Sequence, residues 1–181
     1  MKLELKYLAP YLPYGIKVMV PYGIDDLVGI HFSDDTDYNK TSITKHNINN
    51  PLANTECQTL NFTDIKPILR PMSDLDKEIK VNEDYVITME EIFISAFGGI
   101  GGCGITNNGD KIFIAQYCTE KITFNTSYLC FETYAIAPDG ESEWNPPFNQ
   151  LQLFEKLYQY HFDVFGLIEQ GLAIDINTLQ S

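Results

Sequence analysis

Arginine is almost missing from this chain, in which Arg70 is the single example among 181 residues and 12 basic side chains. Proteins that bind nucleic acids directly use clustered arginine and lysine to neutralise phosphates and to read base edges. The formal net charge of −13 points the same way, because a strongly negative surface repels a phosphate backbone. We therefore expect no direct contact with nucleic acid.

Metal-binding patterns are also missing. The four cysteines, Cys57, Cys103, Cys118 and Cys130, include no C-x-x-C pair that would begin a zinc site. The sequence therefore predicts free thiols, no metal site and no cofactor. Cys118 and Cys130 could face each other across a hairpin, but their spacing alone does not establish a disulfide.

Long apolar runs are missing as well. None approaches the roughly 20 residues that a membrane-spanning helix needs, so we expect no membrane contact. The first residues, MKLELKYLAPYLPYG, lack the apolar centre and cleavage site of a signal peptide, which predicts a cytoplasmic protein. The hydrophobic content of 44% is typical of a folded chain. The length fits one domain, 1–181, with room for a small β-rich lobe around residues 98–143.

The acidic residues are concentrated in the second half of the chain. Residues 1–80 hold 11 acids and 9 bases, whereas residues 81–181 hold 14 acids and 3 bases. Such asymmetry is typical of a solvated surface, and it also suits contact with a basic partner.

The densest apolar stretch, residues 145–176, carries the signals of a helix. Asn145 or Asn149 can cap a helix that begins near Phe148. Apolar residues then recur at spacings of three and four, which predicts an amphipathic helix docked on a core. The residues of the predicted buried face are Leu151, Phe154, Leu157, Tyr158, His161 and Phe165.

The end of this stretch is interrupted. Asp163 and Gly166 predict either two helices with a bend near residues 161–163 or one strained helix, with Asp163 as the cap of the second helix. Gly171 marks a helix end, and the following LAIDI run can return as a strand or pack as an extended tail.

The rest of the chain is typical of antiparallel strands and short helices. Hairpins are predicted from 16–20 with 27–32 and over 79–88, an edge strand around Pro67, a helix over 89–97 closed by Gly98, and a meander from 112 onward. The predicted fold class is α+β, with mostly antiparallel sheets, a C-terminal amphipathic helical segment and one or two short helices.

A glycine-rich stretch offers the sharpest motif. Gly99, Gly101 and Gly104 match the dinucleotide fingerprint G-x-G-x-x-G. That motif needs a strand before it and a helix after it, so that the helix amino end holds the pyrophosphate. Here a helix is predicted before it and a strand after it, which favours a glycine-rich loop.

Three stretches resemble a family of small uncharacterised proteins from phages and prophages of Bacteroides-like gut bacteria. They are PYLPYGIKVMV (10–20), DIKPILRPMSDLDKEI (64–79) and FEKLYQYHFDVFGLIEQGLAIDINTL (154–179). The resemblance implies a phage-encoded protein acting in the cytoplasm of its bacterial host, and it assigns no catalytic residue.

Three functions are compatible with these patterns. The first is an accessory protein that contacts a host or phage protein through its acidic second half, in an oligomeric state left open. The second is a small-molecule or nucleotide-sequestering protein that uses residues 98–104. The third is an enzyme built on His161, Asp163 or a cysteine, which is disfavoured because acid–base catalysis needs several matched groups. The residues expected on a functional surface are Arg70, Gly99, Gly101, Gly104, His161 and Asp163.

Overall fold

A computed structural model describes most of the chain. The described residues are 2–31, 40–45, 56–81, 83–98, 103–109, 112–117, 120–136, 142–145 and 149–179. In chain order the elements are α1 (Leu5–Leu8), β1 (Lys17–Val20), β2 (Gly23–His31), β3 (Lys40–Lys45), β4 (Glu56–Asn61), β5 (Lys66–Leu69), β6 (Glu78–Val81), β7 (Asp84–Ile87), α2 (Thr88–Phe97), β8 (Gly104–Asn108), β9 (Ile112–Tyr117), β10 (Glu120–Asn125), β11 (Cys130–Ile136), β12 (Ser142–Asn145), α3 (Gln150–Gln159) and β13 (Ile174–Asp175).

Antiparallel pairing dominates the sheets. One sheet has the order β13-β5-β1-β2-β3-β4, another has the order β12-β11-β10-β9-β8, and β6 pairs with β7 alone. Among these described strands only β13 and β5 pair in parallel. The fold is α+β with mostly antiparallel sheets, as the sequence predicts.

The chain divides into two compact units. Unit 1 comprises residues 1–71 and 165–181, and unit 2 comprises residues 72–164. The one-domain organisation over 1–181 and the small lobe around 98–143 stay predictions. Within the described residues, no helix combines the length and apolar character needed to cross a bilayer.

Unit 1 contains the predicted first hairpin. In β1, Val18 and Val20 are buried while Lys17 is exposed, which is the period-two pattern of a strand with one covered face. Lys17 is paired with Asp26 of β2, and its Nζ lies 2.7 Å from the Asp26 carboxylate. The return strand begins at Gly23, four residues before the predicted start at Leu27.

The prediction of an edge strand around Pro67 was wrong. β5 lies between β1 and β13, with Pro67 opposite Val18 of β1. The pairing with β13 begins only at Ile68, one residue later. Proline is tolerated here because the ladder on the β13 side starts beyond it.

The two ends of the chain meet within unit 1. The Phe165 ring packs edge-on against Tyr7 and Tyr11, with ring centroids 5.3 and 6.4 Å apart. The LAIDI run then returns as the short parallel strand β13 beside β5, one of the two outcomes that its sequence allows.

Unit 2 is built around an aromatic core. Strands β8 to β12 form a meander, which the sequence predicts only from residue 112 onward, and α2 and α3 pack on the face that carries Phe113, Phe124 and Phe131. The Phe124 and Phe131 rings lie 4.4 Å apart, and both contact Phe154 of α3 edge-on. Such aromatic contacts add to the stabilisation from burial alone.

Helix α3 begins at one of its two predicted caps, and Leu157, Phe154 and Tyr158 of the predicted face lie in or against the core, whereas Leu151 does not. The Asn149 side chain accepts a hydrogen bond from the Gln152 N–H at 3.2 Å, whereas Phe148 lies outside the described residues. Leu153 and Leu157 are buried, and Leu151 is 69% exposed. Leu151 precedes Leu153 by two residues, which is about 200° around the helix, so both cannot face the core.

The predicted second helix is wrong. Residues 160–173 form turns, because His161, Gly166 and Gly171 have φ angles of 59°, 65° and 69°, which a right-handed helix cannot contain. Asp163 therefore caps no helix there. The predicted helix over 89–97 is confirmed as α2, and Gly98 ends it in the left-handed conformation.

Candidate functional site

Nearly half of the acids of unit 2, 7 of 15, fall in one continuous stretch, which we call the acidic segment, residues 74–91. It contains only two lysines, Lys77 and Lys80, against seven acids. The segment includes β6, β7 and the first turn of α2. Its acids are Asp74, Asp76, Glu78, Glu83, Asp84, Glu90 and Glu91.

Apolar side chains anchor the acidic segment to the core. Leu75 and Met89 are fully buried, Ile79 is nearly so, and all three belong to the core cluster of unit 2. The Met89 N–H donates to the Leu75 carbonyl at 3.1 Å, which joins the start of the segment to the start of α2. The charged residues are therefore held on a folded support.

The hairpin of β6 and β7 displays its acids to solvent. Glu78, Glu83 and Asp84 are exposed, and Tyr85 beside them is 64% exposed. Tyr85 is paired across the hairpin with Lys80, which places both on the outer face, opposite to buried Ile79. Glu78 shares this outer face by the same alternation, whereas Asp84 is paired with Val81 on the opposite face and Glu83 immediately precedes β7.

Ion pairs compensate two acids of the segment. The Lys77 Nζ lies 2.7 Å from the buried Asp74 carboxylate, and the Lys156 Nζ of α3 lies 3.5 Å from Glu91. With Lys77 committed to Asp74, Lys80 is the remaining lysine of the segment. The segment keeps a marked excess of negative charge.

Two acids of the segment lie beside strand β8. The Asn107 amide donates a hydrogen bond to Asp76 Oδ2, and Asp76 Oδ1 is buried without a hydrogen-bond partner among the described residues. Burial raises the pKa of the Cys103 thiol, and the nearby Glu90 carboxylate raises it further. Asp76 and Glu90 therefore place negative charge near the two ends of β8.

A second polar cluster lies on the other face of the same sheet. The Tyr134 hydroxyl donates to Glu132 at 3.0 Å, and the Lys121 Nζ lies 5.0 Å from the Tyr134 ring centroid. Burial and the Glu132 carboxylate raise the pKa of Tyr134, and the same two causes raise that of the Cys130 thiol. A thiol with a raised pKa stays protonated at neutral pH and is a poor nucleophile.

The residues predicted from the glycine motif are partly visible. Gly99 and Gly101 lie outside the described residues. Gly104 is the exposed first residue of β8, where an added Cβ would meet only the Gln116 carbonyl, at 3.8 Å. A helix precedes the motif and a strand follows it, the reverse of the order in a dinucleotide site.

The other predicted site residues are spread along the chain. Arg70 is half-buried after β5 in unit 1. In unit 2, His161 follows α3 with a positive φ, and its N–H donates to the Tyr158 carbonyl at 3.1 Å. Asp163 is 5% exposed.

Across the part of the chain that the structure describes, no three His, Cys, Asp or Glu side chains are grouped as metal ligands. Cys103 and Cys130 carry free thiols.

Sequence reasoning missed the contact between Asp76 and Asn107. Thirty-one positions separate them, so only the packing of the loop before β6 against β8 brings them together. The local excess of acids over 74–91 could have been found by counting charge in short windows instead of halves.

Comparisons with protein-family models, with curated proteins and with solved structures find no match.

Proposed function

We propose that this is a cytoplasmic accessory protein, encoded by a phage or prophage of Bacteroides-like bacteria, that binds a basic host or phage protein. The observation that carries the proposal is the acidic segment, where seven acids and two lysines are held on a loop, a β hairpin and the first turn of α2. The binding surface is its exposed part, with Glu78, Glu83, Asp84 and Tyr85.

Electrostatics favours a basic partner over other classes. A patch of one sign raises the rate of encounter with a partner of the opposite sign and suppresses encounters with like-charged ones. An exposed tyrosine beside carboxylates suits lysine and arginine further, because a cation can pack over the ring while it pairs with an acid. The same charge disfavours nucleic acids and nucleotides.

Affinity capture from host lysate tests the proposal when it is made with charge-matched variants. The hairpin-neutral variant carries Glu78→Gln, Glu83→Gln and Asp84→Asn, all at exposed positions of unit 2. The unit 1 control variant carries Glu4→Gln, Asp64→Asn and Glu169→Gln, which are also at exposed positions and change the net charge by the same amount.

The partner should be recovered by the unchanged protein and by the unit 1 control variant, and lost by the hairpin-neutral variant. Three exposed charges at about 0.5 kcal/mol each correspond to roughly a tenfold loss of affinity. Mass spectrometry of the captured proteins gives the readout. Equal recovery by both variants would contradict the proposal.

A further inference from the structure

Strand β8 is the open end of the five-stranded sheet. In the described part of the chain its one strand neighbour is β9. Residues 106–109 are exposed, as is Gly104. A strand in this position presents backbone N–H and C=O groups that another extended chain can pair with.

The two edges of this sheet differ in how they are protected. Proteins usually guard an edge strand with charged residues or proline, which discourage a further strand. The β12 edge follows that rule, since it contains Glu143 and is followed in sequence by Pro146 and Pro147. The β8 sequence, GITNN, contains neither charge nor proline. Its edge chemistry permits the addition of a strand.

Charge beside β8 indicates what kind of strand fits. Ile105 and Asn107 are paired with buried Ala115 and Phe113, so they share the core-side face of the sheet, and Cys103 continues that alternation. Asp76 is held at Asn107 by a hydrogen bond, and Glu90 directly follows Met89, a member of the core cluster against which Cys103 packs. The two carboxylates thus flank positions four residues apart, about 13 Å along a strand.

We propose that a basic, extended segment of the partner pairs with β8 as an additional strand. The segment has the pattern basic-x-apolar-x-basic, with its basic side chains near Asp76 and Glu90 and its apolar side chain beside half-buried Ile105. This inference rests on the proposed function, because it specifies how the acidic segment recognises its partner.

A second copy of this chain fits the edge less well. Each copy carries a net charge of −13, and β8 has no basic residue to place against Asp76 or Glu90. Pairing two β8 strands would bring like charges together in both copies. A basic partner instead compensates them.

A labelled peptide, TKTVTKT, serves as the lysine probe, and fluorescence anisotropy gives its dissociation constant. Two methylated forms carry N-methyl groups either on lysine, valine and lysine or on the alternating threonines. In a β ladder alternate residues direct their N–H groups to the same neighbour, so only one methylated form loses its bonds to β8. We expect that form to bind at least about tenfold more weakly and the other within about twofold of the probe.

Charge coupling supplies the second readout. Replacing the probe lysines by norleucine should weaken binding to the unchanged protein several-fold. The same replacement should weaken binding to the Asp76→Asn variant by a smaller factor, because one of the carboxylates that pairs with lysine is gone. A thermal melt of the Asp76→Asn variant confirms that it is folded. Equal binding of the two methylated forms, or no binding of the probe, would overturn strand addition. Neither result touches the proposed function, which stands or falls on the capture experiment with its matched variants.

Discussion

The two units of this protein differ in net charge, although each has a buried apolar core. Unit 1 contains 10 acids and 7 bases, whereas unit 2 contains 15 acids and 5 bases. Both bury regular sets of apolar side chains, so the added acidity of unit 2 is not a requirement of its core. We propose that this additional charge serves recognition of the partner.

The ion pairs of the two units show the same contrast. Lys17 and Asp26 connect neighbouring strands of unit 1 at exposed positions, while Lys77 neutralises a buried carboxylate in unit 2. An exposed pair contributes little to stability, whereas a buried charge depends more on its partner. In unit 2, Lys77 pairs with the buried Asp74, while the hairpin acids Glu78, Glu83 and Asp84 stay exposed.

The largest expected effect is on the free energy of unfolding, which should fall when a core ring is removed but not when surface acids are neutralised. Phe124→Ala removes a fully buried ring that contacts Phe131 and Phe154, and it should lower the free energy of unfolding by about 3 to 5 kcal/mol. The hairpin-neutral variant should change it by less than about 0.5 kcal/mol. Chemical denaturation measures both. A comparable loss in the hairpin-neutral variant would mean that the acids serve folding.

Backbone strain at a hairpin tip gives a smaller effect. Leu129, between β10 and β11, has a φ of 49°, in a turn where the Asn125 side chain accepts hydrogen bonds from the N–H groups of Ser127 and Tyr128. Leu129→Gly should stabilise the protein by about 0.5 kcal/mol, because glycine adopts this conformation without strain.

The matched control replaces a glycine by alanine at a position with a positive φ where the added Cβ contacts nothing in the described part of the chain. Gly109 has a φ of 61° and an added Cβ would meet no atom within 4 Å, so Gly109→Ala isolates the backbone cost, about 1 kcal/mol. Thermal or chemical denaturation of both variants suffices. A destabilised Leu129→Gly protein would show that the side chain of Leu129 outweighs the strain.

Lysine substitutions compare the two kinds of ion pair. The Asp74 side chain is 6% exposed, and Lys77→Ala should cost about 1 kcal/mol because it removes a cation from a buried carboxylate. Lys6→Ala should have no measurable effect, since Lys6 and Glu4 form an exposed pair in unit 1. Equal denaturation midpoints for the two variants would erase this contrast.

The smallest effect tests the position of Glu90 beside β8. The raised pKa of Cys103 means that the folded thiol ionises less readily than the unfolded one, so its alkylation at pH 8 should be slower in the folded protein. Glu90→Gln removes the nearby negative charge, lowers that pKa and should accelerate alkylation of Cys103 about twofold. Mass spectrometry of the Cys103 peptide gives the rate, with Glu91→Gln as the control. An unchanged rate of alkylation would contradict the placement of Glu90 beside Cys103 and β8.

Much of the fold could be predicted from local patterns. The α2 helix, the hairpin of β6 and β7 and the meander follow from periodicity and turn residues that lie close together in sequence. The turns after α3 could not, because a positive φ is uncommon for residues other than glycine and the local sequence does not show that His161 adopts one. Pro67 was misjudged for a related reason, since the strand beside it comes from the far end of the chain.

The acidic character of the candidate site could be predicted from the sequence, but its position in the fold could not. The sequence shows that acids gather in the second half, yet only the folded chain shows that Asp76 reaches Asn107. The residues singled out by motif, Gly104 and His161 among them, drew attention through spacing or residue type. The acidic segment has neither feature and is found only by its local charge.

Hydrogen exchange of the protein with and without the lysine probe tests the central claim most directly. Binding through the acidic segment and β8 predicts slower exchange in residues 74–91 and 103–109, and no change in the β1–β2 hairpin of unit 1. Slower exchange confined to that unit 1 hairpin, or none in unit 2 when the probe is bound, would contradict the account.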